Sequence, residues 1–193
     1  MKRITVFCGS SSGTDPIFVS QATLLGQTLA SSNIELVYGG ANVGLMGAVA
    51  DGVLNNGGKV IGVLPVFLQF KELAHNSLTE LIIVETMHER KTKMNDLCDG
   101  VIALPGGFGT LEELFEMLTW AQLGLHNKPI GILNSDGFYD ALLAMIETMV
   151  DKGFLKSSNK QMVLVSDDIT DLINKMKNYT APAGTKWLNK KVI

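Results

Sequence analysis

Two short segments of the chain bring charged residues close to predicted helix starts, and both carry residue types that could do chemistry. The segment 87–91 reads MHERK, and the segment 105–113 reads PGGFGTLEE. An arginine is a permanent cation that can hold an anion. A carboxylate can orient water or stabilise a positive charge that develops in a transition state. Arg90 and Glu113 are therefore the candidate pair for catalysis or ligand binding.

Each segment also has a purely structural interpretation. Thr86 with Glu89, and Thr110 with Glu113, fit the spacing of a capping box. In that interpretation Glu113 is a cap residue whose carboxylate is stabilised in its ionised form at the helix start. The neighbouring cations Lys91 and Lys93 would then be solvated. Arg90 is interpreted as a ligand contact, because a cation at a positive helix end is unfavourable until an anion arrives.

Glycines mark three loops, each of which follows a predicted strand and precedes a predicted helix. The chain has 20 glycines among 193 residues, and nine of them lie in the sequences CGSSSG, GGANVGLMG and PGGFGT. Glycine lets a ligand approach backbone amides closely, and free N–H groups at a helix start attract phosphate. The alternative is that these glycines only make tight turns. Neither a GxGxxG fingerprint nor a Walker loop is present.

Short apolar runs alternate with longer segments of helical period. Strands are predicted at residues 4–8, 35–38, 59–64, 81–85, 101–104, 130–133 and 162–165. Helices are predicted at residues 16–32, 45–55, 87–97, 111–123, 139–151 and 169–177. Uniformly apolar strands are covered on both faces. The pattern predicts an α/β fold with a Rossmann-like, doubly wound parallel sheet of about seven strands in a single domain over residues 1–178, followed by a tail at 179–193. Ligands of such sheets bind at the carboxyl ends of the strands.

Composition excludes several classes of protein. Apolar residues make up 46% of the chain and charged residues 18%, which argues against a disordered or coiled-coil protein. A net charge of −3 favours neither a nucleic-acid nor a membrane partner. The two cysteines, Cys8 and Cys98, lack metal-ligand spacing, as do His88 and His126. We therefore expect a cytoplasmic protein without a structural metal.

In these segments the chain resembles the Lonely Guy (LOG) family of cytokinin riboside 5′-monophosphate phosphoribohydrolases. The segments MHERK and PGGFGTLEE are similar to the family's paired motifs, and CGSSSG, GGANVGLMG and LTWAQLGLHNKPIGILN look like family segments in the same order. The family pattern PGGxGTxxE is met at Pro105, Gly106, Gly107, Gly109, Thr110 and Glu113. The resemblance covers about residues 1–178.

The resemblance implies a homodimeric enzyme that needs no cofactor. It would hydrolyse the N-glycosidic bond of an N6-modified adenosine 5′-monophosphate, releasing the free base and ribose 5-phosphate. Arg90 and Glu113 would be the catalytic residues. Together with the glycine loops, it predicts substrate contacts at Gly9, Ser10, Gly39, Gly40, Gly44, Met46, Glu72, Lys91, Gly106, Gly107, Phe108, Gly109, Thr110, Leu111, Glu112 and Thr119.

Two other functions remain open at this point. One is an AMP nucleosidase-like enzyme of nucleotide salvage. The other is a nucleotide or cofactor carrier without turnover, because molybdenum-cofactor carriers resemble the family in fold and glycine loops. A carrier does not need Arg90 in combination with Glu113. Sequences of this kind often carry the label lysine decarboxylase, for which the chain offers no support.

Overall fold

The sheet and its helices were analysed in a computed structural model that describes residues 1–69 and 74–182. The strands are β1 (Arg3–Phe7), β2 (Glu35–Tyr38), β3 (Val60–Pro65), β4 (Glu80–Val84), β5 (Gly100–Ala103), β6 (Ile130–Leu133) and β7 (Val163–Ser166). The helices are α1 (Pro16–Ser31), α2 (Gly44–Leu54), α3 (Met87–Leu97), α4 (Phe108–Gln122), α5 (Asp140–Asp151), α6 (Ser157–Lys160) and α7 (Ile169–Lys177). Short 3₁₀ turns follow β3 and β6, at Val66–Leu68 and Ser135–Gly137.

All strand pairings in the described ranges are parallel, and the strand order is β4-β3-β2-β1-β5-β6-β7. Two apolar clusters lie on opposite faces of the sheet. Helices α1, α2 and α7 pack on one face against Ile4 and Val6 of β1. Helices α3, α4 and α5 pack on the other, where Phe7 of the same strand points. The predicted doubly wound α/β fold is confirmed.

The connection from β4 to β5 decides where the third helix lies. β4 is at one edge of the sheet and β5 lies beside β1, so the chain must pass over β3, β2 and β1. Helix α3 makes this crossing and packs against β1, β2 and β3 as well as β4. The first residues of α3 are thereby carried over the ends of the central strands. The growth direction of the sheet reverses between β1 and β5, which is where ligands of such folds bind.

Some expectations about individual elements were wrong. β4 is not covered on both faces, because as an edge strand it leaves Leu81 38% and Ile83 40% exposed. Helix α6 and the two 3₁₀ turns were not predicted, since segments of three or four residues carry no periodicity. The predicted tail lies largely outside the described residues. Across residues 1–69 and 74–182, no helix is long and apolar enough to cross a membrane.

Two buried tyrosines provide a test of how the core satisfies its polar groups. The Tyr139 hydroxyl donates a hydrogen bond of 2.6 Å to the Leu104 carbonyl. The Tyr38 hydroxyl is equally buried, but no described residue is its hydrogen-bond partner. We predict that Tyr139→Phe lowers the free energy of unfolding by about 1–2 kcal/mol, because the carbonyl loses its donor. The matched variant Tyr38→Phe should change it by less than about 0.5 kcal/mol. Urea denaturation measures both, and equal losses would contradict the assignment.

Candidate active site

The three glycine loops meet at the switch between β1 and β5. The Gly9 N–H donates to the Pro105 carbonyl over 3.0 Å, and the Leu45 N–H at the start of α2 donates to the Gly9 carbonyl over 3.1 Å. The loops line a cavity of about 280 Å³ whose apolar walls include Phe18 and Phe138. The sequence placed these loops at one sheet edge, and the hydrogen bonds confirm that they are in contact.

Gly106 allows the start of α4 to pack against the loop after β1. A Cβ atom at this position would lie 2.1 Å from Thr110 Oγ1 and 2.8 Å from the Gly9 nitrogen. Both distances are far below a van der Waals contact. The buried Thr110 side chain therefore fills the space that a side chain at residue 106 would need.

Helix α4 begins three residues earlier than predicted, and its start has no side-chain cap. Gly107 is the N-cap residue and makes no side-chain hydrogen bond. Thr110 and Glu113 lie inside the helix, so the predicted capping box at this helix is wrong. The reason is local, because Gly107 takes an extended conformation and Phe108 already belongs to the first turn. The first N–H groups of α4 follow Gly107 of the cavity wall and have no capping side chain, which makes them available to an anion.

Arg90 is buried, and its guanidinium is held by one carbonyl within β3 and one carbonyl directly after β2. Its Nε donates to the Val63 carbonyl over 3.1 Å, and its Nη2 donates to the Gly39 carbonyl over 3.3 Å. A Cβ atom on Gly39 would lie only 2.0 Å from Nη2, so only glycine permits this approach. The Met46 sulfur lies 3.2 Å from the same point. Gly39, Met46 and Arg90 were predicted for the site, and the structure brings them together.

Glu113 lies beside Arg90, with 3.8 Å between Oε1 and Nη1. Burial raises the pKa of this carboxyl to about 7, although the Arg90 charge opposes the shift and the Glu112 and Glu116 carboxylates add to it. The expectation that Glu113 is a helix-start carboxylate kept ionised is therefore wrong. Both protonation states of Glu113 are populated near neutral pH, which is the condition for a general acid or base.

Lys91 is also buried, contrary to the expectation of a solvated side chain. Its Nζ lies 2.5 Å from Glu112 Oε1 and 3.0 Å from Glu116 Oε2, both on α4. This ammonium group links α3 to α4 and leaves Arg90 as the cation opposite Glu113. Lys93 is exposed, as expected.

The cap at the start of α3 is confirmed. Thr86 Oγ1 accepts a hydrogen bond from the Glu89 N–H over 3.1 Å. Glu89 Oε2 accepts from the Glu85 N–H rather than from that of Thr86, one residue further back than in the usual box. The first turn of α3 is thus fixed on both sides, and Arg90 follows directly.

One predicted contact, Thr119, lies apart from this centre. Thr119 is exposed on α4, donates to the Phe115 carbonyl, and lines a groove with Ile146 and Met149 of α5 instead of the glycine loops. Glu72 lies outside the described residues. Within this chain the contacts predicted at the crevice rim are exposed or half-buried: Ser10, Gly44, Gly107, Phe108, Gly109, Leu111 and Glu112.

The Val63 carbonyl was missed by sequence reasoning. Every residue has a backbone carbonyl, so residue types cannot single this one out, and only the path of α3 over the sheet shows that it binds Arg90.

Among the described residues, no three His, Cys, Asp or Glu side chains converge on a point that could hold a metal ion. The chemistry at hand is that of one guanidinium, one carboxyl group that titrates near neutrality, and an open helix start.

Sequence relatives of the chain share one named activity. A family model described as "Possible lysine decarboxylase" matches residues 46–176. A protein of Oryza sativa subsp. japonica, named a probable cytokinin riboside 5′-monophosphate phosphoribohydrolase, is 49% identical over 92% of this chain and 80% of its own. A cytokinin riboside 5′-monophosphate phosphoribohydrolase of Arabidopsis thaliana is 44% identical over 99% of this chain and 89% of its own. The chain belongs to the LOG family.

Solved structures give the same fold at lower identity. The molybdenum cofactor binding protein of Rippkaea orientalis has a TM-score of 0.69 at 24% identity, over 92% of this chain and 96% of its own. The molybdenum cofactor carrier protein of Chlamydomonas reinhardtii has a TM-score of 0.69 at 22% identity, over 91% and 95%. At these identities the likeness shows the fold alone, so the LOG-family membership rests on the sequence relatives.

The raised pKa of Glu113 predicts how stability depends on pH. Because the pKa is about 7 in the folded chain and near 4.5 when exposed, its stabilising contribution is complete below 4.5 and is lost as the pH rises through 7. We predict that Glu113→Gln matches the wild type at about pH 4 and is more stable by about 3 kcal/mol at about pH 8.5, since the buried charge is removed. Thermal unfolding at the two pH values measures this. The exposed Glu147→Gln is the control, and a Glu113→Gln chain that is less stable than the wild type by more at about pH 8.5 than at about pH 4 would show that the charge is net favourable.

Proposed function

We propose that this chain hydrolyses the N-glycosidic bond of N6-modified adenosine 5′-monophosphates and releases the cytokinin base and ribose 5-phosphate. The names of its relatives support this reaction. The observation that carries the proposal is the buried pair of Arg90 and Glu113 beside the uncapped start of α4. A hydrolase of a nucleotide needs an anion site and a titratable group near the sugar, and the uncapped start of α4 and Glu113 are the candidates for these two roles.

The phosphate would bind at the start of α4. The amides of residues 108–110 carry the positive end of the helix dipole, and glycines at 107 and 109 leave room for direct approach. Such a local site would explain how a chain of net charge −3 can hold an anion. Lys91 is occupied by two carboxylates, so we assign it to holding α4 in place rather than to the phosphate.

The ribose would lie between this helix start and Glu113. Cleavage of the bond between ribose and base builds positive charge on the sugar, as in glycoside hydrolysis. The ionised Glu113 stabilises that charge and accepts a proton from the water that attacks C1′. The base leaves with the bonding electrons of the broken C–N bond and takes up a proton from solvent, and Glu113 then releases the proton that it accepted, so that one water is added across the bond. Arg90 keeps part of the Glu113 population ionised at neutral pH and presents its Nη1 to the substrate.

Base release from AMP, from isopentenyladenosine 5′-monophosphate and from the two nucleosides tests the proposal. We expect release from the monophosphates and little from the nucleosides, which lack the group that α4 binds. Glu113→Gln should lower kcat by about a thousandfold while AMP still binds, because the general base is lost. Chromatography of the base measures release and calorimetry measures binding.

The outcomes separate the alternatives. Glu147→Gln, an exposed carboxylate change on α5, is the control and should keep full activity. Faster turnover of AMP than of the prenylated substrate would favour an AMP nucleosidase-like enzyme. Binding without any release would favour a carrier. Full activity of the Glu113→Gln variant would refute the role of Glu113.

We also propose that two copies of the chain associate through the groove between α4 and α5. Thr119 lies in this groove rather than at the glycine loops, and apolar side chains including Phe115 and Met149 line it. Met145, 53% exposed, lies on the same helix as Met149.

The cytoplasmic location stays a prediction, with which the two unpaired cysteines are compatible.

The dimer is tested by sedimentation. We expect the wild type to sediment as a dimer, and Met145→Glu to shift it toward the monomer, because a charge on an apolar contact is costly to desolvate. Leu24→Glu, an exposed change on α1 at the opposite face, should leave the mass unchanged. A monomeric wild type would refute the association.

A further inference from the structure

A histidine-centred set of hydrogen bonds lies next to the loop that holds Arg90. The His75 side chain is buried, and its Nδ1 accepts a hydrogen bond of 3.2 Å from the Ser77 N–H. Since a backbone N–H can only donate, Nδ1 carries no proton. The ring proton therefore sits on Nε2, which donates to Asp51 Oδ1 of α2 over 3.0 Å. The imidazole is fixed in one tautomer and one orientation.

The backbone of the same segment is bonded to the glycine loop after β2. The His75 N–H donates to the Gly40 carbonyl over 3.0 Å, and Ala74 forms an antiparallel bridge with Ala41. The carbonyl next to it in the chain, that of Gly39, accepts from Arg90 Nη2. The Gly40 carbonyl that the His75 N–H holds and the Gly39 carbonyl that holds Arg90 therefore belong to adjacent peptide units.

The loop needs such support because of its composition. Gly39 and Gly40 are adjacent, and glycine has the greatest backbone freedom of any residue. Gly39 must be glycine to admit the guanidinium, and Gly40 has a φ of +83°. A pair of glycines cannot hold a carbonyl in one direction without contacts from outside the loop.

We propose that His75 and Asp51 are positioning residues for Arg90. Asp51 orients the imidazole, the oriented imidazole fixes the segment 74–77, and this segment sets the direction of the Gly39 and Gly40 carbonyls. The catalytic consequence rests on the proposed function, in which Arg90 acts on the substrate. The positioning itself is a property of the fold and can be measured without turnover.

Substitutions that each remove one of these hydrogen bonds test the proposed positioning of Arg90. His75→Asn retains an acceptor near the Ser77 N–H but is too short to reach Asp51, and Asp51→Leu removes the acceptor for Nε2. Both should lower kcat by about tenfold with KM for AMP changed by less than about twofold, because misplacing a reacting group costs rate rather than binding. Asp51→Asn keeps an acceptor oxygen and should restore kcat to within about twofold of the wild type.

The control is His126, which has the same arrangement elsewhere. It is buried, its Nδ1 accepts from the Lys128 N–H, and its Nε2 donates to the Met117 carbonyl. His126→Asn should lower Tm as much as His75→Asn does, without changing kcat. If both asparagine variants lower kcat alike, or if His75→Asn leaves kcat unchanged, the positioning role is refuted.

A spectroscopic measurement separates this inference from the proposed reaction. The chain has only two arginines, Arg3 and Arg90, so the Arg90 Nε–H resonance can be assigned with Arg3→Lys. We expect its exchange with solvent to quicken by about tenfold in His75→Asn and to stay unchanged in His126→Asn, because only the first loosens the carbonyls that hold the guanidinium. Unchanged exchange in His75→Asn would overturn the inference whatever the activity. Faster exchange in a protein that releases no base would instead refute the proposed function alone.

Discussion

The buried guanidinium of Arg90 is the constraint on which the rest of the site depends. A cation removed from water must be paired and hydrogen-bonded. Here the carbonyls of Gly39, directly after β2, and of Val63, within β3, supply the hydrogen bonds and Glu113 supplies the opposite charge. This explains why residue 39 has no side chain and why α3 must cross the sheet. The long connection from β4 to β5 is the means by which a residue that follows the edge strand reaches the centre.

Charge around this pair is divided between two helices. Helix α4 carries three glutamates within one turn and a half, and the Lys91 ammonium group contacts the outer two. Glu113, between them in sequence, points inward and is left with Arg90. Its pKa near 7 results from burial outweighing a cation 3.8 Å away. A shorter ion pair would keep the carboxylate permanently ionised, and the group could no longer exchange a proton at neutral pH.

The sequence was sufficient for the fold and for the meeting of the glycine loops, because alternating periodicity and strand-end glycines are local signals. The sequence-based prediction was wrong where one residue pattern is compatible with two local structures. Thr110 and Glu113 have the spacing of a capping box, but Gly107 already begins the helix, and this depends on backbone conformation rather than on residue type. Lys91 was expected in solvent because its partners on α4 are distant in the chain. Burial, which sets the pKa of Glu113, is likewise a property of the packed chain.

The groups that hold Arg90 also lie on both sides of it along the chain. Gly39 and Val63 precede it, whereas Glu113 follows it, as does β5, which pairs with β1. During synthesis from the N-terminus, strands β1 to β4 and helix α3 emerge before the carboxylate and before the strand that covers the open edge of β1. A folded part made of β1 to β4 and α3 alone would leave Arg90 without its carboxylate and β1 with an unpaired edge, and unpaired edges favour aggregation. The pairing of β5 with β1 and the pairing of Arg90 with Glu113 therefore become possible at nearly the same stage of synthesis.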